Sequence, residues 1–262
     1  MAGNDSRKIG LARALSKLGY CSRSRAGDLI RAARVQLNGT VRRDPETPVN
    51  VGRDRIVVDG EVIESARKIY LMVNKPRGIV TTASDEQGRE TVYSILEKER
   101  EALPWVAPVG RLDKASEGLL LMTNDSEWGA QIAAPESHMD KTYHVQISTV
   151  ADEKFLHALR TGVKSDEGTL SARTVRLLRS GEKNCWLEIT LDEGKNRQIR
   201  RMMEVVGVEV LRLVRVAIGP LQLGTLAKGT LRPLTAEEKR ALDQAMLAAG
   251  GTHNNKGSRR KP

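Results

Sequence analysis

Phenylalanine occurs once, at Phe155, and aromatic residues make up only 3% of the 262-residue chain. A core built from this sequence must therefore rest on Leu, Val, Ile and Ala. Cysteine is almost as scarce, with Cys21 and Cys185 alone. They allow one disulfide at most, and such sparse usage fits a reduced, cytoplasmic compartment better. No apolar run approaches the ~20 residues that span a bilayer. The opening MAGNDSRKIG has no apolar segment of the signal-peptide type. The histidines His138, His144, His157 and His253 show no ligand spacing with one another or with either cysteine. A Walker loop and a G-x-G-x-x-G after a strand are both missing. These absences argue against a membrane protein, a disulfide scaffold, a metalloenzyme and a nucleotide-cofactor enzyme. The expectation is a chain with no metal, no cofactor and no membrane partner.

What the chain has is positive charge, a net +10 at pH 7 and a pI near 9.8. Its distribution is uneven. Residues 1–68 carry a net +6, residues 250–262 a net +4, and the long middle is neutral. Basic ends flanking a neutral body suggest polyanion-binding modules around a part with another job, with nucleic acid the natural partner. The plain alternative is that basic ends only keep the chain soluble.

Ile9, Ala12, Leu15 and Leu18 recur at helical spacing before Gly19, a good C′ residue. Ser22 can cap a second helix that buries Ala26, Leu29, Ile30 and Ala33. VQLNGTV and RIVVDGEVI each read as a hairpin, turning at Asn38–Gly39 and Asp59–Gly60. Residues 7–64 thus read as a small domain, with 65–68 as linker. The body, 69–248, reads as irregularly alternating strands and helices. IYLMVNK, IVTT, 119–123, KTYHVQIS, TVRLL and CWLEITL are strands, 109–113 is a short strand or turn, and EVLRLVRVAIGPLQL is one long or bent strand. Helices are expected over 91–96, 127–133, 152–160, 196–206 and, capped by Thr235, to about Leu247. That pattern is α+β with a mostly antiparallel sheet. Residues 249–262 read as a basic disordered tail.

Three stretches could carry chemistry. In GRLDKASEGLLLMTND, Asp113 sits at a turn between Arg111 and Lys114, cations that keep a carboxylate ionised. It could be a nucleophile or base, or it could merely cap the turn. In EGKNRQIRRM, the cations Lys195, Arg197, Arg200 and Arg201 open a helix that buries Ile199, Met202 and Met203. One Arg is thereby turned inward, where it needs a carboxylate such as Asp113. Otherwise the helix simply lies on phosphate. Tyr143 in KTYHV is either core or a flat face on which a base stacks.

Together, VNKPRGIVTT, GRLDKASEGLLLMTND, KTYHV and EGKNRQIRRM resemble, in order and in spacing, the motifs of the RsuA/RluB/RluE/RluF-type ribosomal RNA pseudouridine synthases. The resemblance covers about residues 69–235. SKLGYCSRSRAGDLIRAARVQLNG separately resembles the alpha-L RNA-binding motif of ribosomal protein S-four. The resemblance implies a pseudouridine synthase fold, a mixed, mostly antiparallel central sheet with flanking helices, behind a small N-terminal α/β RNA-binding domain. It implies a monomeric enzyme that isomerises a uridine of ribosomal RNA, free or in an assembling ribosome, without cofactor or metal. Asp113 maps to the family's catalytic aspartate, which attacks base or ribose or takes a ribose proton. Tyr143 maps to the tyrosine that stacks on the uracil, and Arg200 to the basic residue that pairs with the aspartate, with Lys195 as competitor. Arg111 matches the residue that holds the RNA helix open, while Lys75 and Pro76 match an early motif of structural role. Lys195, Arg197 and Arg201, with Arg23, Arg25, Arg31 and Arg34 in the first domain, are the other expected RNA contacts. The basic tail favours a large-subunit target of RluB type. A small-subunit target, or a non-catalytic ribosome-assembly factor, are the alternatives.

Overall fold

A computed structural model describes residues 8–83, 85, 87–99, 103–192 and 195–251. The chain divides into two compact units: Met1–Tyr70 with Lys98–Ala107 and Met122–Glu127, and Leu71–Glu97 with Pro108–Leu121 and Trp128–Pro262.

In the first unit the helix Leu11–Lys17 starts later than its apolar spacing predicts. Ile9–Gly10 is instead a short strand, antiparallel to Pro48–Val49. The chain leaves the helix through Gly19 at φ +79°. Ser22 caps the helix Arg23–Arg31, its Oγ accepting the Arg25 N–H at 3.2 Å. Ala26, Leu29 and Ile30 are buried, whereas Ala33 lies past the helix end, half-buried at φ +60°. Both expected hairpins form. Asn38–Gly39 and Asp59–Gly60 all take positive φ, as a type I′ turn requires. The strands Thr40–Arg42, Val35–Leu37, Ile56–Val58 and Glu61–Val62 make a four-stranded sheet in that order. Leu11, Leu15, Ile30 and Val35 centre its core.

The expected linker is not loose. Asn124 donates to the Arg67 carbonyl at 2.8 Å and accepts the Ile69 N–H at 2.9 Å. Lys68 donates to the Asn124 carbonyl, and Thr123 Oγ1 to that of Ile69. The polar stop Thr123–Asp125 is therefore a clamp on residues 67–70.

The second unit is built on a nine-stranded sheet. Its main path runs Thr174–Ser180, Cys185–Leu191, Lys141–Ile147, Val210–Ile218, Glu117–Thr123, Tyr70–Lys75, Leu231–Pro233. Pairing is antiparallel between the strands of 141–147, 174–180, 185–191 and 210–218, and parallel where Val210–Ile218 meets Glu117–Thr123. Glu117–Thr123 is buried at every position, as its apolar run demands. One face of the sheet packs the helices Glu153–Thr161 and Gln198–Val205 through Leu156, Leu159, Ile199, Met202 and Met203. Asp152 caps the first of these, accepting the Phe155 N–H at 2.7 Å.

Four expectations need correction. IVTT is no strand and keeps a single bridge, Val80 to Thr91. The long strand ends at Ile218, because Gly219–Pro220 turns the chain back and Leu221–Gln222 pairs on Ile218 and Ala217. A hairpin, Val163–Ser165 with Gly168–Leu170, forms where none was expected. The last helix, with Thr235 and Glu238 exchanging capping hydrogen bonds, runs from Ala236 to Gly251 and so takes in the start of the expected tail. The basic residues Lys256, Arg259, Arg260 and Lys261 lie outside the described residues.

Candidate active site

Asp113 sits in a loop between the strands Ala107–Val109 and Glu117–Thr123, and this loop is held at every carbonyl from 112 to 116. The Leu112 carbonyl accepts from Thr81 Oγ1 at 2.8 Å, and that of Lys114 from the Gly78 N–H at 2.8 Å. The Ala115 carbonyl accepts from Arg200 at 3.1 Å. Lys75 donates to the carbonyls of Asp113 (3.1 Å) and Ser116 (2.9 Å), and also to that of Pro76 (3.0 Å). The Lys75 side chain is completely buried. Burial pushes its pKa down to about 8; the Asp113 and Glu117 charges oppose that shift and Arg215 adds to it. A cation spent on three carbonyls is structural, as the motif resemblance implied, and what it structures is the backbone of the aspartate.

The Asp113 carboxylate is 38% exposed and faces a cavity of the second unit. Its Oδ2 accepts from Arg197 at 3.2 Å. This corrects the expected pairing. Arg200 does turn inward, but its guanidinium donates to the carbonyls of Ala115 and Val210 and supports the loop from behind. Burial and the charges of Arg197 and Arg77 push the Arg200 pKa down, and the Asp113 carboxylate pushes it up. Arg197 reaches Asp113 because it stands just before the helix Gln198–Val205 in the left-handed region, at φ +48°. Helical spacing would set Arg197 on one face with Arg201, but Arg197 precedes the helix and is not helical.

Tyr143 is half-buried, packing against the core beneath and lining the same cavity. Arg111 and Lys195 are exposed at the cavity's edge. Arg201 is bound to Glu167 and stands only 21% exposed, which removes it from the free cations. In the first unit, Arg23 and Arg31 line a concave surface with Lys8, Arg13 and Lys17. Arg31 also meets Asp28 at 3.1 Å, and Arg25 is exposed on the same helix. Arg34 is held by Asp59 in a two-pronged pair.

Two cavity residues escaped sequence reasoning. Arg215 is 5% exposed; its Nε donates to the Leu119 carbonyl at 2.7 Å, and its Nη2 has no hydrogen-bond partner among the described residues. Ser116, 1% exposed, has an equally unsatisfied Oγ. An Arg on an alternating strand gives no signal of which face it takes, and here a bulge decides it.

The sequence model of the family described as RNA pseudouridylate synthase matches residues 69–205, more than half of the chain. The chain belongs to that family. An S4 domain matches residues 9–54 of the first unit. The synthase is 33% identical to the ribosomal large subunit pseudouridine synthase B of Bacillus subtilis (strain 168), across 88% of this chain and 94% of the relative. It is 36% identical to an RNA pseudouridine synthase of Aquifex aeolicus, across 88% and 92%. A solved structure, titled "Crystal structure of pseudouridylate synthase", aligns at TM-score 0.61 and 27% identity, covering 89% of this chain and 99% of its own. The synthase converts uridine in RNA to pseudouridine, and among its described residues no helix is long and apolar enough to cross a membrane.

Proposed function

We propose that the synthase modifies a uridine of ribosomal RNA, in the large subunit, with Asp113 as the reacting carboxylate. The observation that carries the site is the loop 112–116: five consecutive carbonyls each have a donor, while the carboxylate they position is left facing a cavity. Such preorganisation is what a reacting group needs and what a turn cap does not. The likeness to a large-subunit synthase over nearly the whole chain supports the target class.

The uridine leaves its stack, at a cost of a few kcal/mol, and enters the cavity. Tyr143 supplies the flat surface for the ring. Asp113 acts on the nucleotide while Arg197 orients its carboxylate, and Arg200 and Lys75 hold the loop. Arg111 and Lys195 at the rim meet the flanking RNA. Residues 7–64 supply the grip through Arg23, Arg25 and Arg31, and 69–248 the chemistry.

Asp113→Asn is the direct test. The variant should bind ribosomal RNA as the wild type does and make no pseudouridine. Mapping pseudouridine across all ribosomal RNA, with and without the gene, should show one large-subunit position that depends on it. A small-subunit position would reassign the target, and an active Asn variant would remove Asp113 from the chemistry.

A further inference from the structure

The unsatisfied Arg215 and Ser116 call for a partner that the described residues do not provide. A buried polar group left unpaired costs about 1–3 kcal/mol, so a buried guanidinium N–H and a buried hydroxyl, both on residues that line one cavity, imply something that completes them. Arg215 does not fall on this face by simple alternation. Thr142 opposes Ala217, and the next residue, Tyr143, opposes Arg215, so a bulge at Val216 shifts the register. An unshifted ladder would set Val216 against Tyr143 and turn Arg215 to the other side of the sheet. Gly118 then fixes the Arg215 backbone from the neighbouring strand. A Cβ on Gly118 would lie 2.2 Å from the Arg215 carbonyl oxygen. The strand is thus shaped to bring a cation beside Tyr143, at a depth that a phosphate on the protein surface does not reach.

We infer that Arg215 is a catalytic residue that donates through Nη2 to a carbonyl oxygen of the bound uracil and holds the negative charge the ring acquires when it is detached, with Ser116 Oγ bonding to the same polar edge. This rests on the placement of the uridine proposed above. When the C1′–N1 bond breaks, its electron pair stays with N1. The detached ring is then an anion whose charge spreads over N1 and the two carbonyl oxygens, and the compensating positive charge stays at the sugar beside the Asp113 carboxylate. Rejoining uses a ring electron pair to make C1′–C5; C5 then loses its proton and N1 gains one, so nothing is oxidised and no proton is consumed. A preorganised cation beside the ring stabilises that transient charge and costs no reorganisation when the bond breaks. The Lys141 ammonium lines the same cavity and adds to the positive field, although Asp140 and Asp192 offset part of it. Glu117, the buried carboxylate next to Ser116, is already engaged by Arg212 and Lys228 and is not free to neutralise Arg215.

The test is single-turnover cleavage of the target nucleotide by the full-length protein, on large-subunit RNA from a strain lacking the gene, alongside RNA affinity and melting temperature. Two RNAs are compared, one with uridine and one with 5-fluorouridine, whose ring bears negative charge more readily. Arg215→Lys should slow uridine about 100-fold, leave RNA affinity within about twofold, and slow 5-fluorouridine by less than about tenfold. Ser116→Ala should show the same ordering with smaller losses. Equal losses on both RNAs, or a Lys variant as fast as the wild type, would overturn the inference while leaving the role of Asp113 intact. A wild-type protein that modifies neither RNA would overturn the parent reading, and this one with it.

Discussion

Lys75 and Arg197 divide the handling of Asp113 between backbone and side chain. Lys75 has a folded-state pKa of about 8, below its ordinary 10.5. The folded chain therefore holds fewer protons than the unfolded one between these values. Below pH 8 the buried charge carries its full cost, about 3 kcal/mol, and stability owed to this group rises as pH climbs from 8 towards 10.5. Function should run the other way. Once neutral, Lys75 has two N–H groups for three carbonyls, and the loop loses a pin. The modification rate is expected to fall as pH passes about 8; Lys75→Met should be at least about tenfold slower at pH 7 and show no such fall. A wild-type pH–rate profile that stays level to pH 9 would contradict this. Arg197 gives a different kind of prediction. Its left-handed φ costs about 1 kcal/mol, and glycine there would relieve that strain while losing a similar amount to chain entropy. Arg197→Gly should therefore melt within a few degrees of the wild type, yet modify RNA about tenfold more slowly, because the exposed ion pair serves orientation more than stability.

At the scale of the element, GRLDKASEGLLLMTND joins a pinned loop to a buried strand, and its glycines differ in purpose. Gly118, at φ +102°, has the Arg215 carbonyl where a Cβ would go. Gly110, at φ +71°, has open space around it. Gly118→Ala should destabilise by about 3 kcal/mol or more and Gly110→Ala by about 1 kcal/mol, measured by denaturant unfolding; equal costs would mean that the close approach of the two strands is relieved by a small shift. The strand Glu117–Thr123, the hairpin at Asn38–Gly39 and the Ser22 cap were all readable from residue order, because a period, a turn pair or a cap is a local property. IVTT was misread because its β-branched residues gave a strand pattern with no partner strand to satisfy it. The turn at Gly219–Pro220 was read as a bend, since apolar residues continue on both sides of it.

For the whole molecule, the excess positive charge sits toward the two ends of the sequence, while Asp113 and its cavity lie in the neutral middle. If Arg23 and Arg31 hold phosphate, replacing both by Gln should weaken RNA binding and make the slope of log affinity against log salt shallower by about two; an unchanged slope would assign them to another role. The residue order by itself determined the second helix with its Ser22 cap and the two hairpins of the first unit, the depth of the central strand and, through four motifs, the family. These follow from local periodicity and from strings long enough to be distinctive. Only the tertiary structure decided which guanidinium meets Asp113, that Lys75 and Arg200 serve the loop's carbonyls, and that Arg215 joins the cavity. A helix start, a backbone reversed into φ +48° and a one-residue bulge set those outcomes. Each depends on where strands and helices distant in sequence meet, and a shift of a single residue there exchanges the side chain that faces the substrate for the one that does not.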